Sequence, residues 1–288
     1  MLACMSRSAV PWVALGLALG GCAHHRFTSA VPSFATSDPA LGGVAQYAVV
    51  HVDHVSPGAR AGFEDARRVW LGVLAAHHTT DGRGLFLQTG DGGFLSMVPL
   101  HHLAELDARR ALGKAALADI DPADQHRYDD ASDRRLAPPH RSEIWRFDAA
   151  ESYGATDPML ALSKAAWGKM IVEELDPSPA GDDYDRAWAE VREALAAAHY
   201  PLVKVAYASA YGTGNLVTFW LSSSQREFLD APTMEAAVAG VLGRDASDAL
   251  FARMRKVVTS SESIDVIPRL DLSSAPLSPP RAPADPPK

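Results

Sequence analysis

His51 and Asp53 stand two residues apart in the segment QYAVVHVDHVSPG, residues 46 to 58. In an extended chain that spacing puts both side chains on one face with Tyr47 and Val49, and leaves Ala48, Val50, Val52 and His54 on the other. An imidazole beside a carboxylate can serve as an acid and base, or supply two metal ligands. The same pair at a strand end can equally be a partly solvated hydrogen bond. The second set is the more uniformly apolar, so it is expected against helices. The His51 and Asp53 face is then expected to look into the space between two sheets. His51 and His54 do not work together, because a spacing of three sends strand side chains to opposite faces.

Other chemistry is thinly represented. Paired histidines occur at 24–25, 77–78 and 101–102, but adjacent side chains diverge on helix and strand alike, so neither ring of a pair helps the other hold one ion. HExxH and CxxC are absent, so no metal is expected. There is no GxSxG for a nucleophile. Ser222, Ser223 and Ser224 sit between a strand and a helix, where capping explains them. Gly212-Thr213-Gly214 precedes a strand, so it reads as a hairpin turn and not a phosphate loop. Aromatic residues fall on predicted strands. Tyr47, Trp145, Phe147, Tyr207 and Trp220, with Phe219 alongside, either line a cavity for a small apolar ligand or pack the interior. Trp70 and Trp188 lie on helix faces and read as core.

The elements that must position these residues come twice. The strand at 46–55 ends in Ser-Pro-Gly. A helix follows with Phe63, Ala66, Trp70 and Val73 at helical spacing. LFLQTGDGGFLSMVPL makes a hairpin around Gly90 to Gly93. HHLAELDARRALGKAALADI is a second helix and RSEIWRFDA a last strand. The order then repeats, with KMIVEELDP as strand and a helix carrying Tyr184, Trp188, Val191 and Leu195. LVKVAYASAYGTGNLVTFWL is a hairpin, TMEAAVAGVLGRDASDALFARMRKVV is helical, and SIDVIPRL closes the unit. FLSMVPLHHLAELDA and VTFWLSSSQREFLDA occupy matching places in the two copies. Two β-α-β-β-α-β units in tandem are two ferredoxin-like units, each an antiparallel sheet with helices on one face. Packing the bare sheet faces on each other is the expected α+β architecture, an intramolecular α+β barrel.

This reading divides the chain into a first unit at 44–150 with a charged insert at 121–140, a linker at 151–166 and a second unit at 167–271. Residues 22–43 are rich in Ser, Thr, Pro, Gly and Ala and read as a tether. Residues 272–288 are proline-dense and read as a tail without a core. The apolar run at 10–21 is shorter than the about 20 residues that a bilayer requires, and matches the apolar stretch of a signal peptide, 1–21. Either Met1 or Met5 can be the start.

The formal charge is −8. Loss of 1–21 would remove Arg7 and leave −9, a balance without the electrostatic footprint for nucleic acid. Of the two cysteines, Cys4 would go with the signal and Cys22 would stand alone, so no disulfide is expected.

Leu19-Gly20-Gly21-Cys22 resembles the lipobox of bacterial lipoproteins. The resemblance implies cleavage before Cys22, a diacylglyceryl thioether on its thiol and acylation of its amine, palmitate being a common chain. Several acyl chains hold a protein where one is marginal. Ala23 after the cysteine, by the sorting rule of enteric bacteria, favours the outer membrane and the periplasm.

The stretch from Val55 to Glu64, strand-Val-Ser-Pro-Gly and then Phe-Glu, resembles the opening of the dimeric α+β barrel superfamily, which includes NIPSNAP-like proteins and antibiotic-biosynthesis monooxygenases. The second copy departs from it, reading Asp176-Pro177-Ser178-Pro179. The resemblance implies a barrel, usually built from two chains, and here from one. It does not fix chemistry, since no family active-site pattern transfers to this sequence. The leading expectation is an envelope lipoprotein that is non-catalytic or binds a small apolar ligand, with no cofactor. The alternatives are a monooxygenase-type enzyme, cofactor-independent or haem-linked, using His51 and Asp53, and an assembly partner in the envelope.

Overall fold

Alternating valines extend the first strand, and Pro57 ends it by fixing φ for a short 3-10 turn that runs into a helix. The computed structural model describes residues 34–76, 84–118, 120–133, 136–176, 181–211 and 215–274. The first unit comprises β1 (Tyr47–Val55), α1 (Arg60–Ala76), β2 (Leu85–Thr89), β3 (Phe94–Leu100), α2 (Glu105–Ala118), α3 (Pro122–Asp133) and β4 (Leu136–Phe147). The β2–β3 hairpin closes with Gly92 at φ 98°, a left-handed conformation that favours glycine. The second unit comprises β5 (Trp167–Leu175), α5 (Gly181–Ala197), β6 (Val203–Tyr211), β7 (Asn215–Ser222), α6 (Gln225–Asp230), α7 (Met234–Leu242), α8 (Arg244–Val257) and β8 (Val258–Pro268). The long helical stretch expected at 233–258 is broken at Gly243, whose positive φ ends α7.

Within the units the strand orders are β4-β1-β3-β2 and β8-β5-β7-β6, and β2–β8 and β4–β6 pairing closes all eight strands into one barrel. Every pairing is antiparallel. The two tandem ferredoxin-like units thus form the intramolecular α+β barrel that the repeat implies.

The lumen holds an apolar core that includes Val50, Leu87, Met97, Trp145, Tyr207, Val217 and Phe219. A second core lies between the second sheet and α5, α7 and α8, around Trp188, Val191, Leu195, Trp220 and Phe251. The first sheet's outer core is smaller, with Val55, Phe63, Phe86, Phe94 and Leu272 as its buried members.

Four boundaries differ from the sequence reading. The stretch 151–166 is no bare linker, because it carries α4 (Pro158–Lys164), capped by Asp157 accepting from Leu160 N at 3.1 Å. Met159 and Leu162 of this helix join Phe34 in plugging one end of the lumen, so ordered packing begins within the expected tether. At the far end Leu272 is fully buried, while Ser273 and Ser274 accept from Phe86 N and Gly84 N, so packing continues past 271. Finally, β4 starts at Leu136, inside the expected insert. Its register against β1 jumps from Val52↔Arg141 to His54↔Ala137. That irregularity lets a strand accommodate Pro138 and Pro139, which cannot donate to a ladder.

Candidate ligand site on the first unit

β1 presents its faces the opposite way from the sequence expectation. Ala48 and Val50 are buried in the lumen core, with Val52 packed against it, while His51 and Asp53 lie on the outer face. The physical reason is that a closed lumen excludes water from every side and takes the most apolar set, whereas the thin helix layer of this unit tolerates a polar face.

On that outer face His51 is in register with Ser96 of β3 and Ser142 of β4. Two small hydroxyl side chains flanking an imidazole leave room above the sheet. A cleft of about 330 Å³ results, lined by His51, Asp53, Ser96, Ser142, Arg67, Phe86, Tyr128, His140 and Arg141. His51 Nδ1 lies 2.6 Å from Ser142 Oγ, a hydrogen bond that fixes the ring and leaves the other nitrogen for a ligand. Burial raises the pKa of Asp53, opposed by the positive ends of His51, His140, Arg67 and His54 around it.

The walls are held from the helices. Arg67 of α1 lays its guanidinium 4.4 Å above the Phe86 ring centroid and donates from Nε to Leu272 O at 3.2 Å. Tyr128 of α3 stacks on Trp70 of α1 with centroids 4.6 Å apart and planes 10° from parallel. The charged insert is therefore a wall of the site as well as a solvated helix.

The other sequence candidates are scattered. Tyr47 is half-buried on the outer face of β1. Trp145, Phe147 and Tyr207 lie in the lumen, where Trp145 and Tyr207 are 6.0 Å apart and Phe219 closes on both. Trp220 belongs to the helix-covered face, 6.3 Å from Trp188 and 5.9 Å from Tyr200. Cys22, the lipobox and the Gly212-Thr213-Gly214 turn lie outside the described residues. Arg67, Ser96, Tyr128, His140 and Ser142 were not singled out from the sequence. One signal existed for Arg67. It stands four residues after Phe63, where the second copy has Trp188 four after Tyr184.

Among the described residues no three His, Cys, Asp or Glu side chains converge as metal ligands, and no helix is long and apolar enough to cross a membrane.

The chain is an α+β barrel with a polar cleft on the outer face of one half. No family model matches the chain, and no curated protein matches it. Among solved structures it is similar to a monooxygenase-like protein of Fusobacterium nucleatum at 8% identity and TM-score 0.48, covering 78% of this chain and 93% of that one. It is similar to an anthrone oxidase-like protein at 12% identity and TM-score 0.45, covering 82% and 93%. It is also similar to chlorite dismutase from Candidatus Nitrospira defluvii at 8% identity and TM-score 0.45, covering 78% and 92%. At such identities the likeness is one of fold alone.

Proposed function

We propose that this chain is a lipid-anchored envelope protein that binds a small aromatic acid in the cleft beneath α1 and α3. The observation that carries the ligand class is that Arg67, His51 and His140 line one cleft together with Phe86 and Tyr128. Guanidinium and imidazole groups suit a carboxylate, and the rings suit a flat apolar body. The cleft is polar, so the ligand carries a charge, unlike the apolar molecule that the aromatic strands brought to mind.

Support for the anchor comes from Leu19-Gly20-Gly21-Cys22 at the end of the apolar run. Cys22→Ala is expected to leave a folded protein in the soluble fraction; retention of that variant with membranes removes the anchor from the reading.

Benzoate is a suitable first probe for the cleft. Calorimetric titration of the full chain should show saturable binding that Arg67→Ala weakens at least about tenfold, the equivalent of about 1.4 kcal/mol. Equal affinity in the variant, or no binding to either protein, overturns the assignment.

Asp53 favours a second reading, catalysis in the same cleft. A desolvated carboxylate beside an oriented imidazole is suited to take a proton from a bound phenol or enolisable carbon. Turnover of such a probe that survives Asp53→Asn and His51→Ala would exclude it.

A further inference from the structure

The lumen is plugged by Phe34 and α4 at one end and unfilled at the other. Beyond Trp145 it continues as a partly open cavity of about 200 Å³, bounded by the β2–β3 hairpin and the start of β7. Its side walls are Val52, Leu95, Met170, Val172, Val217 and Ile264, and its polar groups gather at the mouth.

Several donors at this mouth are committed to carboxylates, and the His54 imidazole stands near Asp91. Arg141 Nε donates to Glu143 Oε1 at 2.5 Å, and Trp145 Nε1 donates to Glu143 Oε2 at 2.7 Å. Thr89 Oγ1 and Gly93 N both donate to Asp91 Oδ1. Acceptors are left over as well. Asn215 Oδ1 is buried without a hydrogen-bond partner among the described residues, and Glu262 adds a third carboxylate to those of Asp91 and Glu143. A buried acceptor without a donor is costly, and a ligand that brings donors removes that cost.

Three carboxylates stand against one guanidinium and the His54 imidazole here, so the field at the mouth favours a cation, while the walls below accept a short apolar body. We propose that this cavity is a second ligand site, separate from the cleft, that takes a small primary amine in its ammonium form. The ammonium bonds Asn215 Oδ1 and the carboxylate of Glu262, and its hydrocarbon part lies against Val172, Val217 and Ile264. A primary ammonium supplies three donors in a compact head, which suits converging acceptors better than a planar guanidinium does.

The test is calorimetric titration of the full chain with n-butylammonium chloride, with n-butanol and butyrate as isosteric controls. Saturable binding at concentrations up to about 10 mM is expected for the amine, with the alcohol and the acid at least about tenfold weaker. Glu262→Gln and Asn215→Leu should each weaken the amine at least about fivefold, and Arg67→Ala should leave it unchanged. Should Asn215→Leu fail to fold, Glu262→Gln on the exposed rim carries the same test. No saturable amine binding, equal binding of butanol or butyrate, or an amine affinity untouched by Glu262→Gln each overturns the proposal. Loss of amine binding in Arg67→Ala would place the amine in the cleft and overturn it too.

Discussion

Where α5 lays Trp188 over the second sheet, α1 lays Arg67 over the first. The contrast extends along the register. His51 pairs with Ser96 and Ser142, and the corresponding place in the second unit is Ile171, paired with Thr218 and Ser263. Asp53 pairs with Phe94 as Glu173 pairs with Leu216.

In the second unit this surface is sealed. Lys204 Nζ sits 3.3 Å above the Trp188 ring centroid and 3.5 Å from Glu151 Oε2, and Tyr184 donates to Glu173. Burial pushes Lys204 down to about 8 and Glu151 up to about 7, with their mutual attraction opposing both shifts. In the first unit the equivalent acid faces an open cleft. One topology thus serves as a filled support in one half and a receptive surface in the other, and the difference rests on a handful of side chains.

The sharpest way to break the comparison is to truncate both helix residues. Trp188→Ala should cost about 3–5 kcal/mol in urea unfolding, through lost burial and a cavity. Arg67→Ala should change stability by less than about 1 kcal/mol. Comparable losses would mean that the first half is no less filled than the second.

Next, Glu151→Ala leaves Lys204 buried without its hydrogen-bond partner and should cost about 3 kcal/mol, whereas Asp53→Ala removes a partly buried acid that lines the cleft and should be neutral or stabilising. Glycines sharpen the point at smaller scale. A Cβ on Gly168 would lie 2.5 Å from Trp220 O, a backbone atom, so Gly168→Ala should lose about 1–3 kcal/mol. Gly72 of α1 has nothing within 4 Å of such a Cβ, and Gly72→Ala should gain about 0.5–1 kcal/mol by helix propensity.

The smallest effect is a pH slope. Asp53 is raised in the fold, so the folded chain holds its proton after the unfolded chain has released it. Stability relative to Asp53→Asn should then fall as pH climbs from 3.8 through the raised value and level off above it. Parallel unfolding curves for the two proteins across that range would contradict the burial of this acid.

The repeat was legible because each copy carries its own hairpin glycines and helical aromatic spacing, and strand order follows from that pattern. Which way β1 faces was not, because both faces of a barrel strand are covered and alternation names two sets without naming their partners. Ala48, Val50 and Val52 were correctly the apolar set, yet they met the lumen instead of helices. His51 and Asp53 were identified as a pair from their spacing, but their neighbours come from α1, α3 and the far end of β4. Those contacts depend on how helices lie, and the wall residue Tyr128 sits in a segment whose composition suggested solvent. Asn215 and Glu262 escaped notice for a similar reason. Both stand in the second unit, on β7 and β8 either side of β5, and alternation did not say that this face of those strands turns to the lumen.

Ring closure has a further consequence. Among the described residues every strand has a neighbour on either side over at least part of its length, so no strand of the barrel leaves one whole side unpaired for another chain. The β2–β8 junction, however, is three residue pairs long: Leu87↔Pro268, Gln88↔Ile267 and Thr89↔Val266. Damage there would expose two templates for intermolecular pairing at once, making that short junction the place where self-association would start.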